Sequence, residues 1–183
     1  MKLTKTPFAG VFETATEPYR DHRGAFGRLF CREALEEAHN NRPIVQINHS
    51  RTATVGAIRG LHFQYPPKPE AKWVRCLKGR VFDVAVDVRC GSPTFLKWHA
   101  VELDADLMNA VFLPEGFAHG FQVLEPDSEL LYLHSESYSP EVEDGLRFDD
   151  PRLAIDWPLP AEDVSERDRN HPLIDSSFEG VSL

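Results

Sequence analysis

Arg59-Gly60-Leu61-His62-Phe63-Gln64, followed closely by Lys72, interleaves a guanidinium, an imidazole, an amide and an ammonium with two apolar side chains. In an extended strand residues i, i+2 and i+4 share a face. His62 and Gln64 therefore point one way, and Leu61 and Phe63 point the other. One face suits a core and the other carries titratable chemistry. Gly60 leaves room for a ligand or a second backbone to come close. Alone, the stretch also reads as a plain half-buried strand with a polar outer face, so its meaning depends on the rest of the chain.

Strand chemistry continues on both sides. Ile44 to Ser50 alternates Val45 and Ile47 against Gln46, Asn48 and Ser50, which puts two amides and a hydroxyl on one face. Ala57 to Gln64 forms the next strand, and Tyr65-Pro66-Pro67-Lys68-Pro69 is a loop that cannot continue a central ladder. Trp73 to Leu77 leads through Lys78-Gly79-Arg80 into Val81 to Arg89, the longest apolar-rich strand, where Asp83, Asp87 and Arg89 share a face suited to ion pairs. Further strands follow at Trp98 to Leu103 and Leu130 to Ser137, and between them Ala110 to Pro114 leads into Glu115 to Val123. Toward the N-terminus, Val11 to Thr16 reads as an edge strand and Tyr19 to Phe26 as a turn region with Arg23 and Phe26 at its flanks. Cys31 to Ala38 is rich in helix formers, which places one short helix near residues 32–39. After Glu141 the pattern becomes irregular. Many short strands with one helix predict an all-β fold, a jelly-roll sandwich or barrel with a cavity between its sheets.

Composition narrows the function. The 183 residues suffice for one domain, 1–183, with a substantial core. With 20 basic against 29 acidic residues the net charge is -9, which argues against a nucleic-acid binder while leaving room for a local arginine cluster around a small anion. Cys31, Cys76 and Cys90 are odd in number and lack zinc-type spacing, which fits reduced thiols in a cytoplasmic protein. No apolar run resembles a signal sequence or a membrane span, so no membrane partner is expected.

Pro114-x-Gly116-x-x-His119 resembles the second signature of the cupins, jelly-roll barrels that often hold a metal. Their first motif supplies His-x-His and a Glu. Here Gln64 stands where the second histidine belongs, and Glu70 is a weak substitute, so no metal and no cofactor are expected. A metal-free pocket of His62, His119, Lys72, Arg59 and Tyr132 suits proton transfer beside a carbonyl. His62 is suited to act as base, Lys72 to face a developing oxyanion, and Tyr132 to return a proton. A metal-dependent cupin oxygenase or isomerase, and a non-catalytic binding module, are the competing readings.

The ordered set of motifs resembles the dTDP-4-dehydrorhamnose 3,5-epimerase family from about Thr6 to Leu173. It comprises Asp21-x-Arg23-Gly24-x-Phe26, Gln46-x-Asn48-x-Ser50, Arg59-Gly60-Leu61-His62-x-Gln64, Lys72-x-Val74-x-Cys76, Phe82-Asp83-Val84-x-Val86-Asp87-x-Arg89, Ser92-Pro93-Thr94-Phe95, Pro114-x-Gly116-Phe117-x-His119-Gly120-Phe121, Tyr132 with Tyr138, and Ser165-x-x-Asp168. The resemblance implies inversion at C3, C5 or both of a nucleotide-linked 4-keto-6-deoxyhexose, with conversion of dTDP-4-dehydro-6-deoxy-D-glucose to dTDP-4-dehydro-L-rhamnose as the leading expectation. It assigns His62, Asp168, Lys72 and Tyr132 to catalysis. Arg23, Arg59, His119 and Arg167 fall at positions for the phosphates or sugar, Tyr138 at one that stacks on the base, and Gln46, Asn48, Glu143, Phe26 and Arg28 at further substrate positions. It also implies a homodimer in which an N-terminal arginine or aromatic reaches the partner's site. Two residues depart from the common pattern: Arg28 stands where many members carry Glu, and Glu70 where Gln is common. Both bear on which nucleotide or sugar is accepted.

Overall fold

The computed structural model describes residues 1–183. Two antiparallel sheets carry the architecture. The first has six strands in the order β1 (Lys2–Lys5), β2 (Phe12–Ala15), β10 (Ala110–Leu113), β7 (Lys72–Lys78), β12 (Ser128–His134) and β5 (Gln46–Thr52). The second has five, ordered β13 (Glu143–Gly145), β6 (Ile58–Gln64), β11 (Phe117–Val123), β8 (Arg80–Asp87) and β9 (Trp98–Asp104). A separate hairpin pairs β3 (Tyr19–Asp21) with β4 (Gly24–Phe26). This is the expected all-β, cupin-like jelly roll.

The strand period explains how the layers pack. On β7 and β12, Val74, Cys76 and Leu130 point between the sheets, where they join Val81, Ala85, Leu113, Phe117 and Phe121 in the central core. Continuing by twos along the same two strands reaches Lys72, Tyr132 and His134, which line a cleft. One end of the space between the sheets is therefore an apolar plug, and the other is a polar mouth. The opposite faces are covered as well. Phe12, Trp73, Phe112 and Leu133 pack under Leu35 and Ala38. Leu61, Phe63, Val84 and Val86 pack under Leu146, Leu153, Ile174 and Val181 of the C-terminal segment. Leu61 and Phe63 thus take the buried face expected of them.

Several elements differ from the sequence reading. The strand expected at an edge, β2, is interior, because β1 pairs outside it. The expected helix is a 3-10 turn, Glu33–Leu35, running into a single helical turn, α1 (Glu36–His39). The C-terminal region is mostly irregular, yet it contributes β13 and a second short helix, α2 (Glu166–Arg169). Val45 and Ile47, the apolar half of the β5 alternation, are exposed, Ile47 by 61%. Of the acidic pair on β8, Asp87 bonds Arg89 at 2.7 Å, while Asp83 turns to His119 on the adjacent strand.

Candidate active site

The polar mouth is a cleft of about 500 Å³. β5, β6, β7, β11 and β12 supply its walls; the inward positions are two residues apart on β5 and β12, and three apart on β6, where its register with β11 shifts. Gln46, Asn48 and Ser50 come from β5, Arg59 and His62 from β6, Lys72 from β7, His119 from β11, and Tyr132 and His134 from β12; Glu70, Tyr138 and Glu143 lie along its margin.

His62 and His119 are direct cross-strand partners on β6 and β11. Their strands come close because residue 60 is glycine. An added Cβ there would lie 2.5 Å from Gly120 Cα and 2.6 Å from the His119 carbonyl oxygen, and Gly60 has a φ of +117°. Each imidazole has its own buried carboxylate. His62 Nε2 lies 2.8 Å from Asp168 Oδ1, and His119 Nε2 lies 2.8 Å from Asp83 Oδ2. Asp168 is delivered by the C-terminal segment. Val164 bridges Ile58 of β6, Ser165 caps α2 by accepting from the Asp168 N–H at 3.1 Å, and the Gly60 N–H donates to Asp168 Oδ2 at 3.2 Å. Burial works against the charge on Asp168, but His62 and the Gly60 N–H more than compensate and hold its carboxyl below the usual range. With Nε2–H donating to this carboxylate, Nδ1 of His62 keeps its lone pair, the arrangement a general base needs.

Tyr132 stands between two rings, edge-on to His119 at 6.0 Å and stacked on His134 at 5.9 Å. Its hydroxyl lies 3.3 Å from Ser50 Oγ. Burial chiefly raises its pKa above the ordinary phenol value, and the nearby Asp83 adds to the effect. Such a phenol holds its proton firmly until a carbanion of comparable basicity develops beside it. Lys72 is buried and pairs with Glu70. Arg59 has no carboxylate partner; its only side-chain bond is a 3.5 Å contact to Thr52. An arginine left in this state is available to an anionic ligand.

At the rim, the Tyr138 hydroxyl donates to Glu143 at 2.8 Å, Arg167 pairs with the same carboxylate, and the Tyr138 N–H donates to Gln46 Oε1 at 3.0 Å. Gln64, the missing metal ligand of the sequence reading, is buried in a structural clamp. Its amide donates to the Lys68 carbonyl at 2.8 Å and accepts from the Ser139 N–H at 2.8 Å, fixing two loops at the cleft edge. His62, Asp168 and His171 bring three potential metal-ligating atoms within 4.8 Å of one another, but the first two spend those atoms on each other.

Ten of the fourteen residues singled out from sequence lie in or directly behind this cleft. Arg23, Phe26 and Arg28 do not lie in the single-chain cleft. Arg23 pairs with Asp21, Phe26 is 80% exposed on the β3–β4 hairpin, and Arg28 contacts Cys31. The fourteenth, Arg167, reaches the rim only through Glu143. Sequence reasoning missed His134 in the cleft and Asp83 behind it, and tied Glu70 to substrate choice, not to Lys72. Their period-2 phase with His119, Tyr132 and Lys72 is the signal that was available.

A jelly roll with a carboxylate-oriented histidine, a raised phenol and a buried ammonium in its mouth belongs to the cupin-like class built for proton transfer next to a carbonyl. The family model described as dTDP-4-dehydrorhamnose 3,5-epimerase matches residues 5–176. A dTDP-4-dehydrorhamnose 3,5-epimerase of Pseudomonas aeruginosa is 43% identical over 172 residues, covering 92% of this chain and 93% of that protein. A dTDP-4-dehydrorhamnose 3-epimerase of Streptomyces niveus is 39% identical over 95% of this chain and 84% of that protein. The crystal structure of the Legionella pneumophila 3,5-epimerase in complex with dTDP-4-keto-L-rhamnose superposes with a TM-score of 0.91 at 36% identity, covering 100% of this chain and 98% of that one. The chain belongs to the dTDP-4-dehydrorhamnose 3,5-epimerase family, a family of isomerases.

Proposed function

We propose that the whole chain, 1–183, acts as one epimerase domain on dTDP-4-dehydro-6-deoxy-D-glucose, inverting C3 and C5 to give dTDP-4-dehydro-L-rhamnose. The observation that carries this reading is the convergence of the His62–Asp168 dyad, Lys72 and Tyr132 on one cleft. The C4 ketone acidifies the hydrogens on its neighbouring carbons. His62 removes one of them through Nδ1, and Asp168 stabilises the imidazolium that results. Negative charge moves to the C4 oxygen, where the Lys72 ammonium meets it. Tyr132 gives its proton to the opposite face of the carbanion, and the centre is inverted. Arg59 and His119 face the phosphates and sugar, Arg167 and Glu143 the nucleotide side, and Tyr138 stacks on the base, which any base tolerates. Gln46 and Asn48 supply hydrogen bonds along β5.

The functional unit is a homodimer in the cytoplasm. Two exposed surfaces support that: β5, an edge strand bearing Val45 and Ile47, and the hairpin with Tyr19 and Phe26. In the dimer the hairpin and the segment just after it carry Arg23, Phe26 and Arg28 to the partner's cleft. Incubation of the enzyme with the dTDP-linked 4-keto sugar in heavy water tests the chemistry. Deuterium enters at C3 and C5 with inversion at both; label confined to C3 assigns the chain to 3-epimerases such as that of S. niveus. Folded enzyme that exchanges no hydrogen in any dTDP-, CDP- or GDP-linked 4-keto sugar overturns the proposal.

A further inference from the structure

Glu70 is a buried carboxylate in the cleft wall with no part in the proton transfers above. One of its oxygens pairs with Lys72 Nζ, and the other accepts from His134 Nδ1 at 2.8 Å. Its side chain is 11% exposed, and those of Lys72 and His134 are 6% and 10% exposed. Glu70 is the only acidic partner of Lys72. The three groups are fastened to the scaffold. Lys72 and His134 are cross-strand partners on β7 and β12. Between Glu70 and Lys72, the Ala71 N–H donates to Ser135 Oγ at 2.8 Å, and the Ala71 carbonyl accepts from the Ser135 N–H at 2.9 Å. The far nitrogen of His134 lies 3.4 Å from Asn48 Nδ2, and its ring stacks on Tyr132.

A buried ion pair adds little net stability, because desolvation offsets most of the attraction; what it fixes is geometry. The same design recurs around the cleft: Asp168 holds His62, Asp83 holds His119, and Glu70 holds Lys72. A lysine side chain has four rotatable bonds, and without a carboxylate partner nothing here fixes its rotamer.

We propose that Glu70 is a positioning residue for epimerisation: it keeps the Lys72 ammonium directed at the site of the C4 oxygen, and His134 holds Glu70 in place. This inference rests on the epimerase reading. Burial opposes ionisation of Glu70, but Lys72 and His134 overcome it and bring its pKa down to about 2, so the carboxylate is charged throughout the working range.

The test measures deuterium wash-in and inversion for the parent enzyme, Glu70→Gln, Glu70→Asp, His134→Asn and His134→Leu. Glu70→Gln preserves shape and removes the charge. Gln is common at this position in the family, but here residue 70 accepts from both Lys72 and His134, and an amide has one acceptor oxygen for the two donors. The substitution lowers kcat about 10²-fold with KM unchanged, because the contact it impairs is made to the enolate and not to the ground-state sugar. Glu70→Asp, which keeps the charge, recovers part of that loss. His134→Asn, whose amide replaces the Nδ1–H donor, loses less than His134→Leu. A Glu70→Gln enzyme with kcat equal to or above the parent's overturns the inference, since a carboxylate that merely competes with the enolate for the ammonium gives that result. A rise in KM alone also overturns it. If Glu70→Gln does not fold, equal kcat in His134→Leu and the parent has the same force. A parent enzyme without exchange removes the epimerase reading itself, and the inference with it; an active parent with unaffected variants removes the inference only.

Discussion

Asp168 decides which nitrogen of His62 is basic, and a single atom there separates orientation from charge. Asp168→Asn keeps the size of the side chain but removes the anion that stabilises the imidazolium. We expect exchange at both carbons to fall about 10²–10⁴-fold, the range for a lost general base, with affinity for dTDP unchanged by calorimetry. Tyr132→Phe should behave differently. It abolishes inversion while sparing some deuterium exchange at a centre that His62 deprotonates, because exchange needs only proton removal and return to the same face. Equal loss of exchange and inversion in Tyr132→Phe would place the phenol in proton removal. His62, Lys72 and Tyr132 were readable from sequence because each has a side chain whose chemistry fits few other uses. Asp83, Glu70 and His134 were less readable, because carboxylates and histidines on strands are common and their partners lie on other strands. Asp83 shows the difficulty. The period of β8 correctly put it on one face with Asp87 and Arg89, but Arg89 satisfies the acid two residues away, and Asp83 is left for His119 across the sheet.

Most of the elements that sequence patterning recovered are buried on at least one face; β5 was recovered although it is largely exposed. β6, β7, β8, β11 and β12 all carry regular apolar alternation or continuous apolar runs and were placed to within a few residues. β1 was missed because Lys2–Lys5 has three exposed residues of four and no buried one, so nothing in its composition marks a strand. β13 was missed because Glu143-Asp144-Gly145 has no strand propensity of its own; pairing with β6 imposes the conformation. The expected helix shrank to turns because only Leu35, Ala38 and His39 find burial. At this scale Gly60 is the critical position. Gly60→Ala introduces a side chain at positive φ and drives it into Gly120 and the His119 carbonyl. The strained φ alone costs about 1–3 kcal/mol, and the clash adds to it. Thermal unfolding should shift down accordingly, and the remaining folded enzyme should lose exchange because the His62–His119 register is displaced. A variant with unchanged Tm and activity contradicts this account of the close approach.

For the molecule as a whole, the cleft of one chain holds the groups proposed for proton transfer, while Arg23 and Phe26 sit on an outlying hairpin and Arg28 just after it. The homodimer proposal joins the two. Sedimentation should give twice the 20.8 kDa chain mass. Phe26→Ala, a change at a residue 80% exposed in the single chain, should raise KM with little effect on Tm. A monomeric, fully active enzyme overturns both expectations. The sequence could point to dimerisation only through family resemblance, because exposed apolar residues such as Ile47 look like core residues until the sheet order places them at an edge.

The His62–Asp168 bond spans 106 residues. Every strand of both sheets, including β13, precedes Asp168 in the chain. During synthesis the barrel therefore has all its strands before the base has its carboxylate, and the C-terminal segment that covers Leu61 and Phe63 is also the part that switches on the chemistry. A nascent or clipped chain ending before Val164 keeps the cleft walls but lacks the group that orients His62. Residues 164–183 thus finish the core over Leu61 and the His62–Asp168 pair together, so completing the fold and completing the dyad are one event.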